Sequence, residues 1–170
     1  PFYDLIVEIG IVKLDLSSGK ITVLFDSLVK EPTFGEDHKS SWIFENSNLS
    51  FDEVLNAPLL KDVIPQIQSI FNESSVTAYN KSFDLGFLKS RGVDIPSELP
   101  CIMKTATNLL KIPFLRGNKK YKWPSCQESF EYFFPATSYI EKHRAADDAT
   151  HEAKILYEIF RRGHLPLFEQ

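Results

Sequence analysis

Ser75-Val-Thr-Ala-Tyr-Asn-Lys-Ser-Phe-Asp-Leu-Gly-Phe-Leu88 sets the architecture of this chain. Ser75 to Tyr79 is short and apolar, as a buried strand is, and Asn80 stands where a side-chain oxygen commonly caps a helix. Ser82 to Ser90 reads as that helix, and Gly92 stops it. A strand that runs straight into a helix belongs to an α/β sheet covered by helices. Upstream, Leu5 to Leu14 and Ile21 to Val29 are rich in Ile and Val, and Asp15-Leu-Ser-Ser-Gly-Lys20 supplies turn residues, so an antiparallel hairpin is predicted. Lys30 to Asn56 has no periodicity and reads as a long surface connection, pinned to the body by Trp42, Ile43 and Phe44. A helix is expected from Leu59 or Lys61 to Phe71, with Pro65 tolerable only near its first turn. Further helices are expected over Met103 to Lys111, Ser125 to Phe134 and Arg144 to Arg162, the last being the longest.

The 170 residues, 43% hydrophobic and 25% charged, suit one globular domain with a sizeable core. No apolar run reaches the 18 or so residues of a membrane span, and the N-terminal residues lack a signal-peptide layout, so the expected compartment is the cytoplasm. Cys101 and Cys126 have no metal-ligand spacing and are expected as buried thiols. A net charge of -4 argues against a surface that binds polyanions everywhere, while leaving room for a local site where metal ions supply positive charge. Arg116-Gly-Asn-Lys-Lys-Tyr-Lys122 is the densest basic stretch, either a solvated loop or a phosphate contact.

Two acids fall on the wrong faces of their helices. In the last helix Ala145, Ala149, Ala153, Leu156 and Phe160 form an apolar stripe widened by Ile155 and Ile159. At about 100° per residue, Asp148 points within roughly 20° of Ile155 and so faces the body, whereas Asp147 shares a solvated side with His151, Lys154 and Glu158. Asp84 lies in azimuth between Phe87 and Leu88 and is likewise expected to face inward. Alone, Asp84 could serve only the helix dipole and Asp148 only a hydrogen bond or salt bridge. Two inward carboxylates on separate helices, one just past a buried strand, point instead to a shared divalent metal site. His143, in the loop leading to the last helix, could swing over that site or be a surface residue.

The segments Ala78-Tyr-Asn-Lys-Ser-Phe-Asp-Leu-Gly-Phe-Leu88 and His143-Arg-Ala-Ala-Asp-Asp-Ala-Thr150 resemble the second and third motifs of the DEDDh (DnaQ-like) 3′-to-5′ exonuclease superfamily. Leu5 to Val12 resembles the strand after the family's first motif. Leu28-Val-Lys30, Asn56-Ala-Pro58 and Cys101-Ile-Met-Lys104 match in order as well, so coverage is nearly the entire chain. The resemblance implies a ribonuclease H-like α/β fold, a mixed five-stranded sheet flanked by helices, with two Mg²⁺ or Mn²⁺ ions per active site held by four acids. It makes Asp84 and Asp148 metal ligands and His143 the general base. Tyr79, where the family often has His, is expected to touch substrate fit.

The family's Asp-x-Glu strand has no match here; it would precede Pro1 and lie between Leu5 to Val12 and Ser75 to Tyr79. Asp4 and Glu8 cannot replace it, being about 13 Å apart on a strand where an i, i+2 pair spans about 7 Å. The expected activity is release of nucleoside monophosphates from a single-stranded DNA 3′ end, with RNA trimming as the runner-up and a DNA polymerase as a possible partner. Asn80, Phe83 and Phe87 are the candidate substrate contacts, with core packing the competing reading of both Phe residues. An inactive relative that binds nucleic acid or a polymerase is the rival class, and a purely structural α/β domain leaves the two acids unexplained.

Overall fold

The computed structural model describes residues 4–114, 120–137, 139–140 and 142–165. The predicted hairpin forms: β1 (Glu8–Leu14) pairs antiparallel with β2 (Ile21–Leu28), Glu8 opposite Leu28 and Leu14 opposite Ile21, with an irregularity between Ile11 and Val12. Asp15 builds the turn, its Oδ1 accepting from the backbone N–H of Ser17 at 2.8 Å and its hydroxyl at 2.6 Å. Gly19 completes it at φ +73°, where a Cβ would also lie 2.6 Å from the Tyr157 ring. Only glycine meets both demands.

The connection after β2 is more regular than its sequence suggests. It holds a 3-10 turn (Glu36–His38) and two short helices, α1 (Trp42–Asn46) and α2 (Phe51–Leu55). Their apolar residues meet only after the chain folds back, so periodicity is too short to reveal them. Phe34, Leu49, Phe51 and Val54 make a small core of their own, with Ile43 and Phe44 packed against it. Trp42, expected to pin the connection, instead stands 58% exposed.

The helices arrive where predicted, as α3 (Leu60–Asn72), α4 (Lys81–Ser90), α5 (Ile102–Leu110), α6 (Cys126–Phe133) and α7 (Ala145–Arg161). Pro65 is the sixth residue of α3, beyond the expected first turn. It lies on the exposed face with Lys61, whose carbonyl loses its donor. Ile9 and Phe25 of the hairpin pack with Ile67, Phe71, Leu85 and Leu88 of α3 and α4. A second core joins α5, α6 and α7 through Ile102, Phe130, Ile155 and Ile159. Gly10 lets α7 approach β1, since a Cβ there would sit 2.3 Å from the backbone of Ala145 and Ala146. Cys101 and Cys126 are buried, as expected.

The α/β class holds, but the expected five-stranded sheet is not formed among the described residues, where the sheet has two strands. Ser75 to Tyr79 is extended yet makes only a parallel bridge, Val76 to Glu98, and Lys30 bridges Leu59 in the same sense. The physical reason is the space between β1 and Ser75 to Ala78: a ladder cannot form across it.

Candidate active site

That space is a cleft of about 1040 Å³, lined by β1, by Ser75 to Ala78 and by the starts of α4 and α7. Val7 accepts from the Val29 N–H at 3.0 Å, so Val7 and Ile9 direct their backbone groups at β2 while the alternate residues Glu8 and Gly10 direct theirs at the cleft. On the opposite wall Val76 donates to Ser97 at 2.9 Å and accepts from Leu99 at 2.9 Å, which leaves Thr77 turned the other way.

Asp84 reaches the cleft from the first turn of α4, which Leu85 and Leu88 anchor in the core. Its position corrects the inward expectation: the side chain is exposed, facing into the cleft. The azimuth is right, but the neighbouring wall stands off. Desolvation by the cleft walls nevertheless raises its carboxyl to about 6, because so much protein surrounds an acid with no paired cation among the described residues. Asp148, half-buried in the first turn of α7, lines the same cleft, and its Oδ1 accepts from the Tyr139 hydroxyl at 3.1 Å. Tyr139 is itself buried and stacks on His151 with centroids 3.9 Å apart.

Asp147 is not the solvated acid expected. It is half-buried, 3.1 Å from the Lys142 ammonium and 3.6 Å from His151 Nδ1. The loop ahead of α7 folds back over that face, which helical azimuth cannot foresee. His143 lies in this loop at φ +54°, a left-handed conformation costly to a non-glycine residue by on the order of 1 kcal/mol. It lines the cleft and meets the Trp42 ring edge-on, centroids 4.9 Å apart and planes at 73°.

Glu8 belongs to the scaffold, as its sequence position implied. Its Oε1 accepts from Arg144 Nε at 2.9 Å and Nη2 at 2.8 Å, and its Oε2 from the Ala145 N–H at 3.0 Å. It thus caps α7 from another element and adds negative charge at the positive end of the helix.

The remaining expectations divide. Asn80 occupies the N-cap position of α4 without a side-chain capping bond and is not part of the cleft wall. Phe83 is 57% exposed on that wall, while Phe87 is buried beneath it with the Arg91 guanidinium 5.2 Å from its ring. Tyr79 does not line the cleft. It is buried, and its hydroxyl lies 2.7 Å from the Ser125 carbonyl and 2.6 Å from Ser129 Oγ, tying α6 to the body. Burial pushes that hydroxyl far above the usual tyrosine range. Of the basic stretch, 116–119 lie outside the described residues, and Lys122 pairs with Glu128.

Sequence reasoning missed Trp42, Tyr139 and Glu152. Glu152 lines the cleft and accepts from the Tyr79 N–H at 3.1 Å; its spacing of four from Asp148 on one helix was the available signal. Nothing local marks the other two. Asp84 and Asp148 are hard oxygen donors of the kind Mg²⁺ and Mn²⁺ take, but among the described residues no three His, Cys, Asp or Glu side chains gather around one point. The donors fit such an ion in kind and fall short in number. No helix among the described residues is long and apolar enough to cross a membrane.

Three DNA polymerase III PolC-type proteins are similar to this chain. That of Caldanaerobacter subterraneus subsp. tengcongensis is 26% identical over 163 residues, that of Clostridium perfringens 29% over 163 and that of Thermotoga maritima 28% over 160. The matches cover 94%, 94% and 91% of this chain, which spans 10% of the length of each relative. Two solved structures share the fold. One is described as 3′-end specific recognition of histone mRNA stem-loop by 3′-exonuclease (TM-score 0.68, 16% identity, 94% of this chain and 73% of that one). The other is a full-length 3′-exonuclease (TM-score 0.69, 16% identity, 94% and 54%). Residues 1–156 match the Exonuclease (RNase T) family, in agreement with the motifs around Asp84 and Asp148. With a ribonuclease H-like α/β fold and a family match over most of its length, the chain belongs to the exonuclease family.

Proposed function

We propose that this chain is the catalytic part of a metal-dependent 3′-to-5′ exonuclease that hydrolyses single-stranded ends, DNA in preference to RNA, and releases nucleoside monophosphates. The observation that carries the proposal is the convergence of Asp84, from α4, with Asp148 and His143, from α7 and its leading loop, on one cleft. The DNA preference is supported by the likeness to DNA polymerase III proteins, which also makes a DNA polymerase the expected partner.

Asp84 and Asp148 would supply two of the four acidic ligands for two Mg²⁺ or Mn²⁺ ions. When bound, such ions act as Lewis acids that orient the attacking oxygen and stabilise the leaving one. Asp84 prepares for this by holding a carboxylate that its surroundings leave short of positive charge. His143 accepts the proton of the attacking water at its imidazole. Exposed Phe83 offers a face on which the terminal base can stack, a contact worth roughly 1–3 kcal/mol in single-strand binders. Buried Phe87 supports Phe83 from beneath, with ring centroids 4.8 Å apart.

The missing donors belong to a further β-strand bearing Asp-x-Glu, for which the cleft has the right walls. Backbone groups of Glu8 and Gly10 on one side and of Thr77 on the other face into it, and buried peptide groups need partners. The test is to express the 170 residues with and without the natural upstream residues and to assay mononucleotide release from matched single-stranded DNA and RNA, with Mg²⁺ and with chelator. Chelator-sensitive release, faster on DNA and restored by the upstream residues, is the expected result. Full activity of the short form would show that the site is misplaced, and binding without hydrolysis in the long form would favour an inactive nucleic-acid-binding relative.

A further inference from the structure

We propose that Trp42 is a positioning residue for His143, so that the connection carrying α1 sets the aim of the catalytic base; the inference rests on the reading of His143 as that base. The backbone around His143 is held on both sides. Lys142 pairs with Asp147 at 3.1 Å, and Arg144 is locked to Glu8 at 2.8 Å. These anchors fix where His143 begins, at its left-handed φ of +54°, but not where its ring points. Among the described residues the aromatic partner of that ring is Trp42, edge-on at 4.9 Å.

Trp42 itself is 58% exposed on the cleft, whereas its neighbours Ile43 and Phe44 pack against the small core of Phe34, Leu49, Phe51 and Val54. A large indole left half in water beside a buried anchor is not there for core packing. Edge-to-face aromatic contacts are directional, so Trp42 constrains the imidazole plane as well as its place. A shift of that small lobe would carry Trp42 with it and release His143.

The experiment uses the full natural chain with Mg²⁺ and a single-stranded DNA 3′ end. Trp42→Ala should lower kcat about tenfold with KM changed less than about twofold, a fraction of what general-base catalysis supplies. Trp42→Phe, which keeps an aromatic ring, should retain most of kcat. In a His143→Ala background Trp42→Ala should cost nothing further, because the two then act as one unit. Without substrate, tryptophan emission should differ between the parent and His143→Ala, and that difference should vanish in a Trp42→Phe background.

Emission identical in the parent and His143→Ala would overturn the contact. Unchanged kcat in Trp42→Ala, or a rise in KM alone, would overturn positioning and make the indole a substrate contact. Parental activity in His143→Ala would instead remove the general-base reading, and with it the role, while the emission difference still reported the contact.

Discussion

Glu8 and Asp84 face each other's regions across the same cleft and have opposite surroundings. Glu8 is 8% exposed and saturated: two nitrogens of Arg144 and the Ala145 N–H all donate to it. Asp84 is open to the cleft, has no cation paired with it among the described residues, and has its carboxyl raised to about 6 by desolvation. An acid supplied with donors by its own chain holds two elements together. An acid the chain desolvates without neutralising is a candidate for a partner from outside, which is the role proposed for Asp84. The same contrast recurs on α7, where Asp147 is engaged by Lys142 while its neighbour Asp148 lines the cleft.

That contrast can be broken most sharply by activity. Asp84→Ala or Asp148→Ala in the full natural chain should reduce nuclease turnover by on the order of 10³-fold while the circular dichroism spectrum stays that of the parent. Turnover within tenfold of the parent would put Asp84 in the same structural class as Glu8.

Glu8→Ala should do the reverse. It strips an ion pair and a helix cap at once, and with Arg144 partly exposed the loss should be about 2 kcal/mol. In a domain of this size that lowers the melting temperature by roughly 4–8 °C, while turnover per folded molecule falls far less than in Asp84→Ala, through the freed Arg144 anchor of His143 alone. An unchanged melt would mean that water replaces the carboxylate without cost.

A third test uses pH. The folded-state pKa of Asp84, about 6, lies above its unfolded value near 3.9, so the folded form binds the proton more tightly. Stability from this group is therefore present below about pH 4 and is lost as pH rises through about 6. Asp84→Asn should melt higher than the parent at pH 7 without metal, by about 2–4 °C after allowance for solvent exposure, and equal it at pH 4. A difference that persists at pH 4 would assign the effect to packing. The smallest expected change is that of Tyr139→Phe, which deletes the hydroxyl donating to Asp148 and should cost about 1 kcal/mol in a denaturant melt.

The hairpin and the five longer helices were legible because each is set by local means: alternation of Ile and Val, turn residues at Asp15 and Gly19, and helical recurrence of apolar residues. Helical azimuth put Asp148 on the side that meets the cleft, because it follows from chain geometry alone, but it wrongly left Asp147 in water. The helix azimuth of Asp84 was equally legible, but azimuth says only which way a side chain points. Whether that direction meets packed core or an open cleft depends on the opposite wall, and for Asp84 it is the cleft.

By itself, then, the sequence determined the order of elements, the family and the candidate acids, since propensity, periodicity and motif spacing act between residues near in the chain. Tertiary structure alone decided that Tyr79 is a buried tie to α6, that Trp42 stands against His143, that Tyr139 donates to Asp148, and that Glu8 caps α7. These pairs lie between 9 and 137 residues apart in the chain, and no local term brings them together. For Glu8 and the start of α7, the close approach is made possible by the missing side chain of Gly10.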